Sequence, residues 1–307
     1  MSLSLLLEQV LNGLQFGMML FLMSAGLTLV FGVMGLINLA HGSFYMIGAF
    51  ACAGVAMATG SFFLGLVAAL AAAAVAGILV EMLVIRRLYD RDHLDQVLAT
   101  FALILVFSEG TRYLFGSFPL YLDVPPLLSG AVALPGGIDY PVYRLAVIGA
   151  GIALAAGLFW LVGHTRLGIR IRAGEADREM IAALGVDIDR LYTIVFALGT
   201  ALAGLAGAIV GTLQSVQVGM GEPVLILAFV VIVIGGIGSI KGALIGALLV
   251  GLTDTLGRSL LPVVFAAFLP PSEANAVGSA LASLLIYLLM AGVLVFRPSG
   301  LFGAVRA

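Results

Sequence analysis

Three stretches hold the residue types and spacings with which this chain could do chemistry. The first is Gly35-Leu36-Ile37-Asn38-Leu39-Ala40-His41-Gly42-Ser43, followed by Met46 and Gly48-Ala49. It sets an amide, an imidazole and a hydroxyl among glycines inside an apolar run, where polar groups are costly and normally face a cavity or a neighbouring helix. Asn38 and His41 are three apart and share a face if the segment is helical. Either Asn38, His41 and Ser43 line or gate a polar path, or Asn38 caps a helix and His41 bonds to backbone.

The second stretch, His164 to Asp187, holds Arg166, Arg170, Arg172 and Arg178, with Arg190 just beyond, interleaved with Glu175, Asp177 and Glu179. Its centre, Ala173 to Leu184, reads as one short amphipathic helix with Ala176, Met180, Ala183 and Leu184 on one side, stopped by Gly185. Such a helix at the mouth of a membrane protein suits a partner; a solvated basic loop is the plainer alternative. The third stretch is Gly235-Gly236-Ile237-Gly238-Ser239-Ile240-Lys241-Gly242, with Gly246 completing a GxxxG spacing. It reads as a hairpin between two broken helices reaching the cytoplasmic face at Lys241, either bordering a substrate path or simply packing closely. It is not a phosphate loop, because no glycine precedes Lys241 and no Ser or Thr follows it. His93 and His164 lack metal-ligand spacing, and paired catalytic carboxylates, a Ser-His-Asp order and H-E-x-x-H are missing, so neither catalytic nor metal-binding residues are assigned.

The elements that must position these residues are membrane helices. The chain has 307 residues, 62% hydrophobic and 10% charged, with net charge -2. Mean hydropathy is +1.21. Soluble domains carry about 25% charge, so a soluble enzyme is excluded, as is a nucleic-acid binder, which needs a basic patch. Runs long enough to span lie near Leu5–Phe31, Asn38–Ala58, Phe62–Ile85, Leu94–Phe115, Tyr143–Val162, Leu191–Leu213, the glycine-broken Pro223–Leu256, and Ala276–Phe296. Eight or nine crossings result, with breaks or re-entrant kinks near residues 32–43 and 235–242. The first run is read as a retained span, not a cleaved leader. Apolar runs of this length exclude a β-barrel.

Arg86, Arg87 and Arg91, then the 164–190 segment, then Arg297 and Arg306 mark the cytoplasmic side; the 116–141 loop, with Asp123 and Asp139 and no basic residue, lies outside. A single transmembrane domain over 1–307 is expected. Cys52 reads as a small buried hydrophobe. Glu81, Glu109, Glu8, Glu222 and Asp254 fall near the ends of runs, with roles in snorkelling, capping or subunit pairing. None sits at a helix centre as an ion-coupled transporter would require.

These patterns, in this order, resemble the permease family of branched-chain amino acid ABC importers, and most closely its H-type subunit, over nearly the whole chain. Gly35 to Ala49 is similar to N-L-A-H-G-x-x-x-M-x-G-A, Arg172 to Gly185 to R-A-x-x-x-D-x-x-x-A-x-x-L-G, Gly235 to Gly242 to G-G-x-G-S-x-x-G, and Arg297 to Gly303 to R-P-x-G-L-F-G. The coupling alanine matches Ala182 or Ala183.

The resemblance implies an all-α polytopic ABC importer permease in the bacterial inner membrane, paired with a second homologous permease. It further implies two cytoplasmic ATPases that use ATP and Mg, docked on Arg172, Ala173, Glu175, Asp177, Arg178, Ala182, Ala183 and Gly185, and a periplasmic binding protein that delivers the solute. No cofactor is expected on this chain itself. Asn38, His41 and Ser43 become candidates for the substrate path, and Glu222, at the outer mouth, a further one; Gly235, Gly236, Gly238, Ser239, Lys241 and Gly242 form the structural hairpin. Urea, short amides and aromatic carboxylates are alternative solutes, and a stand-alone transporter or channel is the alternative class.

Overall fold

In lipid each backbone polar group must be satisfied within its own segment, so apolar runs of this length form helices. The computed structural model describes residues 3–89, 91–134 and 137–303, and among them eleven α-helices. Eight are long and apolar enough to cross a membrane: α1 (Leu3–Met34), α2 (His41–Thr59), α3 (Phe62–Leu83), α4 (His93–Phe115), α5 (Val142–His164), α8 (Ile188–Val210), α10 (Ile240–Phe265) and α11 (Pro271–Phe296). Two short helices, α6 (Arg166–Ala176) and α7 (Arg178–Ala183), lie between α5 and α8. The fifteen-residue α9 (Gly221–Gly235) covers only about 22 Å, and α10 begins soon after it. Arg306 lies outside the described residues.

The described chain sorts into two compact units. One gathers the chain up to Phe21, Pro126–Ile152 and the chain from Phe229 onward. In it α10 packs on α11, and Gly13 and Gly17 of α1 meet Leu252, Ala247 and Gly251 of α10. A short antiparallel hairpin, Ala131–Leu134 with Ile138–Pro141, precedes α5. Tyr140 donates from its hydroxyl to Asn12 Oδ1 at 3.1 Å, as does Arg144 Nη1 at 2.5 Å. The start of α1 therefore shares the side of the loop expected outside.

In the other unit, Leu22–Pro125 with Ala153–Ala228, α2 is wrapped by α3, α8 and α4. Glycine makes this packing possible. A Cβ on Gly48 would strike the backbone of Gly204, and one on Gly207 the carbonyl of Tyr45. Phe44 packs edge-on to Phe196 of α8 and against Phe107 of α4. Leu120 and Val216 exchange backbone hydrogen bonds of 2.8 Å, placing the segment after α8 on the same side as the loop after α4.

Candidate functional site

The arginine-rich segment is not one helix. Asp177 is extended at φ -158° and ψ 100°, ends α6, and caps α7 by accepting from the Met180 amide at 2.9 Å. A carboxylate competes for backbone N–H groups and prefers a cap to a helix interior, which is why the expected Ala173–Leu184 helix breaks there. The facing also differs from the expected one. Ile171, Gly174 and Ile181 are buried, whereas Met180 and Leu184 are 58% and 76% exposed, and Ala176 and Ala183 are exposed too.

Gly185, at φ +86°, does stop α7. Its amide donates to the Ala182 carbonyl and that of Val186 to the Ile181 carbonyl, the paired bonds of a Schellman ending. Three residues after the stop comes α8, capped by Asp187 accepting from Arg190 N at 3.0 Å. At the other end Thr165 caps α6, and the Arg172 guanidinium donates to the Val162 carbonyl. Gly174 contacts Leu191 of α8, Ile181 of α7 and Val33 of α1. The result is a stiffly linked two-helix element. It is anchored on α8 and the end of α1, and it presents Arg172, Glu175, Asp177, Arg178, Ala182 and Ala183 to solvent, with Ala173 half-buried.

Sequence reasoning placed Glu81 near the end of a run and missed what it does. It is fully buried, and Arg86, 32% exposed, clasps it with Nε at 3.2 Å and Nη2 at 3.0 Å. The Tyr89 hydroxyl lies 2.7 Å from Oε1 and the Thr193 hydroxyl 2.7 Å from Oε2. Arg86 also reaches Asp189 at 3.7 Å, and Tyr89 packs edge-on to Tyr192 at 5.0 Å. The hydrogen bond to Glu81 raises the Arg86 pKa above its ordinary value; burial first, then the bond to Glu81, raises that of Tyr89. This cluster clamps the cytoplasmic end of α3 to the first turns of α8, directly after the two-helix element. The signal was a carboxylate closing an apolar run with an arginine five residues on; the partner Thr193 is too distant in sequence to see.

The first stretch is broken, not helical, through Gly35–Asn38, so Asn38 and His41 do not share a helix face and Asn38 is not the cap; Ala40 takes that position without a side-chain bond. Asn38 and His41 are fully buried, and their side-chain nitrogens and oxygen meet no partner in full hydrogen-bonding geometry. The backbone of Met23 is the polar group that faces the His41 ring. Met23 lies eleven residues before the end of α1, about 16 Å along the axis. The chain thus turns back after α1 and starts α2 beside the body of α1, not at its end. Gly42 there touches Gly221, the first residue of α9: a Cβ on Gly42 would meet the Gly221 carbonyl oxygen at 2.7 Å. Glu222, the next residue, therefore sits beside the start of α2. Gly42, Ser43, Met46, Gly219, Gly221 and Glu222 line a narrow crevice with no room for a water molecule.

The third stretch forms the expected hairpin. Gly236 and Gly238 have φ of +100° and +83°, and Ser239 caps α10 by accepting from Gly242 N at 3.0 Å. Gly235 and Gly242 are in backbone contact, while Lys241 is exposed. The C-terminal pattern docks on it: Leu301 N donates to the Ile234 carbonyl and Phe302 N to that of Gly235, both at 2.9 Å. Among the described residues no group of His, Cys, Asp or Glu could hold a metal ion.

Eight membrane-length helices, two interrupted entries into the membrane and a capped element at the cytoplasmic end define a multi-pass membrane permease. A family model described as the permease component of the branched-chain amino acid transport system matches residues 9–294, and the chain belongs to that family. It is accordingly a permease subunit of an ABC importer. Among curated proteins it is similar to the high-affinity branched-chain amino acid transport system permease protein BraD of Pseudomonas aeruginosa, 28% identical over 97% of this chain and 95% of the relative. The high-affinity branched-chain amino acid transport system permease protein LivH of Escherichia coli is 28% identical over 83% of this chain and 87% of the relative. The ribose import permease protein RbsC of Escherichia coli is 28% identical over 79% and 75%. No solved structure matches.

Proposed function

We propose that this subunit conducts branched-chain amino acids, or closely related hydrophobic ones, across the inner membrane after a soluble receptor releases them at the outer face. Two ATPase subunits, supplied by other chains and using ATP and Mg, drive it from the cytoplasm, and a second homologous permease completes the path. The names of BraD and LivH, branched-chain amino acid permease proteins, support the solute class.

One observation carries the mechanical part. The α6–α7 element leaves Met180 and Leu184 exposed beside Asp177, Arg178 and Glu179, an apolar and charged surface suited to a partner. Through Gly174 and Ile181 it bears on α8 and the end of α1. A push on α7 reaches α8 through only the short link of residues 184–187, and reaches the Gly35–Ala40 break through α1. The chain's own residues then do two things: they transmit the stroke, and they part the helices around the path.

The test is charge reversal that spares the fold. Arg178→Glu should abolish ATPase co-purification and receptor-dependent leucine uptake. Asp177→Ser, which keeps a capping oxygen, should retain α7 and lose only part of the coupling. Full docking and full uptake in Arg178→Glu would remove α7 from the coupling role.

A further inference from the structure

The cytoplasmic end of α10 and α11 carries positive charge that nothing beside it balances. The two helices are antiparallel neighbours, so Lys241, at the start of one, and Arg297, just past the end of the other, share that end. The Gly235–Gly242 hairpin and the segment docked on it complete that end, and neither 229–242 nor 288–303 contains an Asp or Glu. Both cations are exposed, and neither side chain makes an ion pair or a hydrogen bond among the described residues.

A second, independent feature lies against Arg297. An open groove of about 510 Å³ runs along α11 from Leu288 to Phe296 and ends at Arg297 and Leu301. No lining residue except Arg297 has a polar side chain. The groove is more than a bare helix face. Gly292 opens its middle, where a Cβ would meet nothing within 4 Å. Leu301 forms its end wall and is held there by its amide, which donates to the Ile234 carbonyl at 2.9 Å. From Leu288 to Arg297 the helix rises about 14 Å, close to half of a roughly 30 Å hydrocarbon core. An apolar trough one leaflet deep thus ends on an unpaired cation at the cytoplasmic face, where anionic lipid headgroups attract basic residues.

We propose that this groove binds an anionic phospholipid of the cytoplasmic leaflet, with one acyl chain along α11 and the phosphate on Arg297. Lys241 adds to the attraction from the neighbouring hairpin. Lipid tails cover any outward apolar face; the charged end is what makes this one selective. A zwitterionic headgroup brings a cation of its own to Arg297 and Lys241, and a free phosphate leaves the groove unfilled, so anionic lipid ranks above both. The site is independent of which solute the subunit conducts.

The experiment uses the complete assembly in mild detergent with a phosphatidylglycerol that carries a photoactivatable diazirine on its acyl chain. Adducts are mapped and quantified by peptide mass spectrometry. They should concentrate on residues 288–301. Unlabelled phosphatidylglycerol should displace the probe at about fivefold lower concentration than phosphatidylcholine, the scale of one cation near an anionic surface; inorganic phosphate should not displace it. Arg297→Gln should erase the preference between the two lipids, and Arg297→Lys should keep most of it. Gly292→Leu fills open space in the groove and should reduce adducts at least fivefold, while Gly149→Leu, on α5 and equally unobstructed, should leave them unchanged. Equal displacement by both lipids in the wild type overturns the proposal by making this an ordinary lipid contact. Displacement by inorganic phosphate overturns it in favour of a plain anion site. Wild type without adducts on 288–301, with that face cross-linking instead to the second permease, overturns it in favour of a subunit interface.

Discussion

Removing Arg86 should cost more than removing the charge of the carboxylate it holds. Arg86→Met leaves the fully buried Glu81 with only the hydroxyls of Tyr89 and Thr193. Breaking a buried pair from one side costs about 3–5 kcal/mol. Here Arg86 is 32% exposed and two neutral donors remain, so roughly 2–3 kcal/mol is expected. Glu81→Gln removes the charge but keeps one carbonyl oxygen for these donors, and Arg86 can turn toward water, so about 1 kcal/mol is expected, the scale of one ordinary hydrogen bond. The double variant lacks the stranded carboxylate and should be more stable than Arg86→Met alone by on the order of 1 kcal/mol, a positive coupling. Reversible unfolding of the purified protein in mixed micelles, followed by far-UV circular dichroism, measures all four corners of this cycle. If Arg86→Met is no less stable than Glu81→Gln, or the double variant is the least stable of the three, the carboxylate is not a charge that Arg86 neutralises. The clamp between α3 and α8 would then be a contact without consequence.

Glycines separate into those that permit packing and those that do not. Gly48→Ala drives a methyl into the Gly204 backbone and should cost about 1–3 kcal/mol by overpacking; Gly110→Ala meets nothing within 4 Å and should be neutral or stabilise by roughly 0.5–1 kcal/mol. Midpoints from the same unfolding measurement should rank Gly110→Ala at or above wild type, with Gly48→Ala below. Gly185→Ala keeps open space but demands φ of +86° of an L-residue, about 1–2 kcal/mol. It should loosen the end of α7, seen as faster cleavage of the 177–187 segment by a limiting protease, and weaken ATPase retention.

The positions of the membrane helices were legible in the order of residues. Every expected run has its helix, because a chain in lipid satisfies its amides only within its own segment, making length and apolarity nearly sufficient signals. The cap-forming residues Ser239 and Asp187, and the stop at Gly185, act locally and show themselves in short patterns. The split of the arginine-rich segment was written there too, in Asp177, but a periodicity over twelve residues averages a cap away.

What only the tertiary structure decided is who meets whom. Ser43 and Glu222 are drawn to one crevice from opposite ends of the second unit; Thr193 is brought to Glu81; Leu301 and Phe302 complete the Gly235–Gly242 hairpin. Asn38, only three residues before His41, lies instead in the break while His41 opens α2. Such pairings depend on where helices cross, set here by glycine contacts such as Gly48 with Gly204 and Gly42 with Gly221. Along the chain a glycine that lets two backbones touch looks the same as one, like Gly110, that faces nothing.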